Sequence, residues 1–212
     1  MVAIVNTSAY MGNPSLKKVG TNVEWTPEMV SEWEKCREDS VYFTNNYIKI
    51  INLNDGLVNF IPYDYQVEIL KTVQNHRYTI LNCSRQSGKT TALVASILHY
   101  AIFNDEKTVA ILANKRETAL EILGRVQLAY ENLPSFLQHG VVTFNKSYIT
   151  LENKSRIMAF ASSSGAIRGY SINFLFIDEC VSGDTLVTVK DINTGEVFIK
   201  HIEDLYEELS FE

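Results

Sequence analysis

Ser84-Arg85-Gln86-Ser87-Gly88-Lys89-Thr90-Thr91 is the stretch with the clearest chemical content. It lies between an apolar segment, Tyr78 to Cys83, and an apolar run that continues to about Tyr100. A loop between a strand and a helix presents successive backbone N–H groups and the positive helix end to an anion. Ser84, Gln86, Ser87, Gly88, Lys89, Thr90 and Thr91 are therefore the candidate cradle for a nucleotide's phosphates. Lys89 reaches the terminal phosphates, and the Thr90 hydroxyl is placed to hold Mg²⁺. The implied ligands are ATP and Mg²⁺. Cys83 stands where such loops usually begin with glycine.

A second stretch supplies carboxylates. Phe174-Leu175-Phe176-Ile177 is followed by Asp178-Glu179. An apolar strand ending in two acids delivers them to the carboxyl edge of a sheet, where ligands bind in open α/β folds. Asp178 is expected to hold Mg²⁺ and Glu179 to polarise the attacking water. Arg85 offers a guanidinium that could stabilise transition-state charge from within the same chain. Gln66 has a donor and an acceptor together, which suits reading an adenine edge. Arg168, before Gly169, could sense phosphate or serve loop packing.

The intervening elements follow from punctuation and periodicity. Thr26-Pro27-Glu28 opens a helix with a hydroxyl cap, a proline and an acid. Asn54-Asp55-Gly56 marks a turn, and Tyr63 to Val73 reads as a helix. The pattern predicts strands at Tyr78–Cys83 and Thr108–Leu112, and a helix from Lys115 to about Asn132. Shorter strands are expected at Val141–Phe144, Tyr148–Leu151 and Arg156–Phe160, and a final central strand at Phe174–Ile177. Strand and helix alternate, so the expectation is an α/β fold with a parallel sheet and flanking helices of the P-loop NTPase type.

Bulk properties narrow the class. A chain of 212 residues, 46% hydrophobic and 11% aromatic, is long enough for one core. No apolar run approaches the roughly 20 residues of a membrane helix, and the amino terminus lacks the pattern of a secretory signal, so no membrane partner and a cytoplasmic setting are expected. Cys36, Cys83 and Cys180 form no C-x-x-C pair. Residues 180–212 hold 2 of the 19 basic and 8 of the 25 acidic residues, leaving 17 of each before them. The tail thus carries the whole net charge of −6.

Pro62-Tyr63-Asp64-Tyr65-Gln66, Ser84 to Thr90, Ala166-Ile167-Arg168-Gly169 and Phe176-Ile177-Asp178-Glu179, in that order, resemble the large terminase subunit of tailed bacteriophages. Gly12-Asn13-Pro14-Ser15-Leu16-Lys17 and Val41-Tyr42-Phe43 resemble the same family's lead-in, so the likeness covers about residues 10–179. It implies an amino-terminal ATPase that drives DNA into a capsid, with Gln66 reading adenine, Arg85 as the cis arginine, and Lys89, Thr90, Asp178 and Glu179 performing hydrolysis. Phage DNA, the portal or procapsid and the small terminase subunit are the implied partners, in the cytoplasm of an infected bacterium. The division expected is 1–60 as lead-in helices, 61–179 as an ATPase core incomplete after its carboxylate strand, and 180–212 as a separate element. Within residues 1–212 no segment matches the family's nuclease, nor the coupling motif expected after the strand that ends at Asp178-Glu179.

Cys180-Val181-Ser182-Gly183-Asp184-Thr185-Leu186-Val187 instead resembles the first motif of inteins. Thr185 to Val189 and Val197 to Ile199, around a turn at Asn193-Thr194-Gly195, predict a hairpin, and Ile202 to Leu209 a short helix. The likeness implies that Cys180 is a splicing nucleophile acting on the Glu179 carbonyl. It lacks the intein's Thr-x-x-His and terminal His-Asn. The implied partner is a complementary carboxyl-terminal intein fragment carrying the rest of the terminase, attracted by the acidic tail. Two other readings remain open: a free-standing helicase-like P-loop NTPase with an ordinary hairpin tail, and a non-functional gene fragment.

Overall fold

The computed structural model describes residues 9–52, 54–84, 86–162, 167–178, 186–190, 197–201 and 203–204. The chain divides into two compact units, Met1–Ile177 and Asp178–Glu212. The first opens with a hairpin, β1 (Ala9–Tyr10) and β2 (Asn13–Lys17), followed by the helices α1 (Pro27–Glu38) and α2 (Ser40–Tyr47). A second hairpin, β3 (Lys49–Asn52) and β4 (Gly56–Asn59), leads into α3 (Asp64–Asn75) and α4 (Lys89–Phe103). Then come β5 (Thr108–Ala113), α5 (Arg116–Glu131), β6 (Val141–Phe144), β7 (Tyr148–Leu151), β8 (Arg156–Ala161) and β9 (Phe174–Asp178).

Local chemistry explains the helix starts. Thr26 accepts from the Met29 N–H at 3.3 Å with Pro27 in the first helical position, and Asp39 accepts from Val41 and Tyr42 to begin α2. The segment expected to be lead-in helices contains both hairpins as well. Through Leu16, Cys36, Phe43, Ile48 and Phe60 it shares one core with α4, α5 and the main sheet. Glu152 ties the two parts together, accepting from the Gly20 N–H at 2.9 Å and the Gly140 N–H at 3.1 Å. Gln138 does the same, donating to the Ser15, Tyr130 and Leu133 carbonyls, each at 3.0 Å.

The main sheet has the order β6-β7-β8-β5-β9. Its strands are not all parallel as expected. β5 and β8 pair in parallel, whereas β6, β7 and β8 form an antiparallel meander. The connections around Asn145-Lys146 and Asn153-Lys154 are too short for a parallel crossover, which needs a dozen or more residues.

Two strand expectations require correction. Tyr78–Cys83 joins no sheet: Tyr78 and Ile80 are 81% and 96% exposed, while Leu81 and Cys83 pack against the core. Alternation of apolar residues encodes which side faces inward but not whether a neighbouring backbone is present to pair with. β9, expected to be central, lies at the end of the order among the described strands, with Leu175 and Ile177 43% and 44% exposed.

The second unit contains a hairpin of β10 (Leu186–Lys190) and β11 (Val197–His201), registered from Leu186 opposite His201 to Lys190 opposite Val197. Val197 and Ile199, two residues apart and so on one face, are exposed. The expected turn at 193–195 and most of the expected helix at 202–209 lie outside the described residues. Among the described residues, no helix is long and apolar enough to cross a membrane.

A cluster of aromatic rings joins α1, α2 and α4. Phe43 is fully buried, edge-on to Phe103 at 5.4 Å and to His99 at 5.6 Å between ring centroids. Phe43→Ala should lower unfolding free energy by about 3–5 kcal/mol in urea titrations. His99 donates from Nε2 to the Cys36 carbonyl at 2.9 Å, and burial holds its pKa below the ordinary 6.5. The unfolded chain accepts a proton that the folded chain resists. Stability should therefore hold above about pH 6.5 and fall as the pH drops below it. His99→Gln should show a smaller drop in urea midpoint between pH 7.5 and 5.5.

Candidate functional site

α4 is apolar on nearly every side, and from Ala92 to Ile102 all but Tyr100 are buried. A helix enclosed in this way holds its first turn in a fixed place. Its amino-terminal cap is Gly88, with φ 74° and ψ 16°. The left-handed backbone there is open to glycine at little cost and strained for other residues. Thr91 and Ala92 N–H groups return to the Gly88 carbonyl at 3.0 and 3.4 Å. The Lys89 and Thr90 N–H groups have no acceptor among the described residues, and both residues are only half-buried. Two donors with no acceptor among the described residues, at a positive helix end beside a lysine and a hydroxyl, have the chemistry to receive an anion. The Ser87 hydroxyl is buried and also lacks a partner among the described residues. These groups fit the triphosphate chain, and the Thr90 hydroxyl fits a Mg²⁺ ligand.

The loop is gripped from outside by the first turn of α3. Gln66, 3% exposed, accepts from the Tyr63 N–H at 2.9 Å through Oε1. Its Nε2 donates to the Gly88 carbonyl at 3.2 Å and toward the Ser87 carbonyl at 3.4 Å. The Tyr65 hydroxyl donates to the same Ser87 carbonyl. A Cβ on Gly88 would stand 2.6 Å from Gln66 Nε2. The backbone sign demands glycine at 88, and a Cβ there would also push the Gln66 amide away from its bonds to the loop. Gln66 has its oxygen and nitrogen engaged within the protein.

Ser84 and Gln86 are exposed on the loop, Gln86 with φ 59°, and Thr91 is half-buried on α4. Arg85, Glu179 and Cys180 lie outside the described residues. Asp178 is the last residue of β9. Arg168 sits in an exposed turn closed by the Tyr170 N–H on the Ile167 carbonyl at 3.3 Å. Tyr65 joins the loop without having been expected there. Its sequence signal is its place in the Pro62–Gln66 motif, which by itself assigns Tyr65 no role, and its contact with Ser87 spans 22 residues. A separate cavity of about 340 Å³ is lined by Arg116, Tyr148, Phe160 and Tyr170 among others, and by no residue of the loop.

Residues 80–185, half of the chain, match the family model described as terminase large subunit, T4likevirus-type, N-terminal. The chain belongs to that terminase family. The architecture is also similar to a crystal structure of the HK97 bacteriophage large terminase, with a TM-score of 0.55 and 16% identity. That likeness covers 68% of this chain and 31% of the HK97 protein. The terminase chain therefore matches less than a third of that relative's length.

Gly88→Ala should weaken binding of a fluorescent ATP analogue at least about tenfold, because an L side chain strains the cap and collides with Gln66. Wild-type affinity in a variant with an unchanged urea midpoint would show that this cap conformation does not hold the nucleotide.

Proposed function

We propose that the chain is the precursor half of a phage DNA-packaging ATPase, joined to its remainder in trans by protein splicing through Cys180. The observation that carries the ATPase part is the cradle at the start of α4, with two free N–H groups, Lys89 and Thr90, in a chain of the terminase family. Lys89 neutralises the terminal phosphates, and Thr90 and Asp178 hold Mg²⁺, which when bound offsets charge developing on the phosphoryl oxygens. Glu179 orients and deprotonates water, and Arg85 lies over the transferred group as the cis arginine. For Gln66 to read adenine, as its amide chemistry suggests, it would have to exchange its partners at Tyr63, Ser87 and Gly88 for the base. After splicing, the partners are phage DNA, the portal or procapsid and the small terminase subunit, in the host cytoplasm.

The splicing part is supported by the sequence at 180–187 and by the hairpin that begins at Leu186. The Cys180 sulfur attacks the Glu179 carbonyl carbon. The Glu179–Cys180 amide C–N bond breaks, a C–S thioester bond forms, and the thiol proton ends on the freed amine. The side-chain nucleophile of the first residue of the joining segment then attacks the thioester carbonyl. Its bond to the carbonyl carbon forms, the C–S bond breaks, and Cys180 leaves as the thiol. The remaining intein groups come from the complementary chain. A two-stranded hairpin is marginal alone. The exposed Val197 and Ile199 and the acidic surroundings suit an apolar, basic partner. Residues beside Glu179 must be removed cleanly, since misplacement of about 1 Å costs roughly 100-fold in rate.

The family match runs on through residue 185, past Cys180. That favours a second reading, a P-loop NTPase of terminase type whose tail is an ordinary hairpin and is never excised. Mixing the chain with the complementary intein-bearing chain distinguishes the two. Splicing predicts a ligated product by mass spectrometry, absent in Cys180→Ala, and ATP hydrolysis that rises on ligation and falls at least about 100-fold in Lys89→Ala. Ligation by Cys180→Ala, or brisk hydrolysis by the lone chain, would overturn the splicing reading.

A further inference from the structure

The first turn of α3 touches the loop before α4 at two of its carbonyl oxygens, those of Ser87 and Gly88. Gln66 spends its acceptor on the Tyr63 N–H and its donors on the Ser87 and Gly88 carbonyls. Tyr65 adds a second donor to Ser87. The Tyr65 ring is in turn held by stacking on Tyr63, at 5.8 Å between centroids with a 14° interplanar angle. Through the Ser87–Gly88 and Gly88–Lys89 peptide planes, these contacts act on the Gly88 and Lys89 N–H groups.

We propose that Tyr65 and Gln66 are positioning residues for the phosphate site: together they brace the loop carbonyls at Ser87 and Gly88 so that the opposite face of the backbone offers its N–H groups to a polyphosphate. Peptide planes are rigid, so fixing a carbonyl on one side fixes the direction of the next N–H on the other. Gly88 is left-handed and carries no side chain, which leaves it the freest link in the loop. The brace therefore acts where conformational freedom is greatest, and removes before binding an entropy that the ligand would otherwise have to offset. It contributes the same to any ligand bearing the phosphate chain, whatever its base.

This rests on the nucleotide-binding part of the proposed function, and the test separates the two. Affinities of the 212-residue chain for ATP, GTP and inorganic tripolyphosphate are measured by calorimetry for wild type, Tyr65→Phe, Gln66→Met and Lys89→Ala, with urea midpoints alongside. Tyr65→Phe removes a single hydroxyl and should weaken all three ligands alike, by about 3- to 10-fold. Gln66→Met should weaken all three by more, with the ratio of ATP to GTP affinity unchanged. A loss confined to ATP in Gln66→Met would assign Gln66 to the base and overturn the brace. So would wild-type affinities in both variants while Lys89→Ala loses binding. If Lys89→Ala binds as wild type does, or if wild type binds none of the three, the nucleotide reading fails first and the brace falls with it. Should Gln66→Met not fold, Tyr65→Phe decides the matter alone by the same uniform loss.

Discussion

Enclosure of α4 in apolar side chains is the constraint on which the rest of the first unit depends. A helix buried on all sides cannot turn about its axis or slide without breaking close packing, so its first turn stays at one place relative to the sheet and to α3. The N–H groups of Lys89 and Thr90 are consequently aimed at one spot. Burying their helix stabilises the fold, and the two donors, which have no acceptor among the described residues, are the groups the proposed phosphate site would use. Stability and site are thus two ends of one element.

The lead-in is part of the same arrangement. α1 and α2 cover α4 through Phe43, Trp33 and the bond from His99 to the Cys36 carbonyl, while β2 and the chain after it are fastened by Gln138 and Glu152. α3 then passes from this shell to the phosphate loop, where Tyr65 and Gln66 meet Ser87 and Gly88. A path of direct contacts therefore runs from the lead-in to the cradle. The hairpin of the second unit is a different kind of element. It has two strands and exposed apolar residues at Val197 and Ile199, within a tail, residues 180–212, that holds 8 acidic and 2 basic residues.

Much of this was readable from residue order. The Thr26 cap, the turn before Gly56, the limits of β6 and β7 and the helix opened by Gly88-Lys89-Thr90 all follow from local chemistry, in which each residue's preference is set by near neighbours. The candidate phosphate residues were legible for the same reason, since the loop's chemistry lies within eight consecutive positions, Ser84 to Thr91. The resemblance to the large terminase subunit is borne out at the level of the family.

Pairing and partnership were decided only in three dimensions. Tyr78–Cys83 has the alternation of a strand but joins no sheet, and Phe174–Ile177 has the composition of a central strand but lies at the end of the described order. Composition reports how a segment meets water and core, whereas a ladder requires a second backbone whose position the segment does not encode. Gln66 makes the same point at the site. Its amide chemistry was evident in the sequence, but which groups take up its donors and acceptor depends on a loop more than twenty residues away, brought to it by the packing of α3 against α4. Short-range propensity set the elements and the chemical inventory, and long-range packing assigned each polar group its partner.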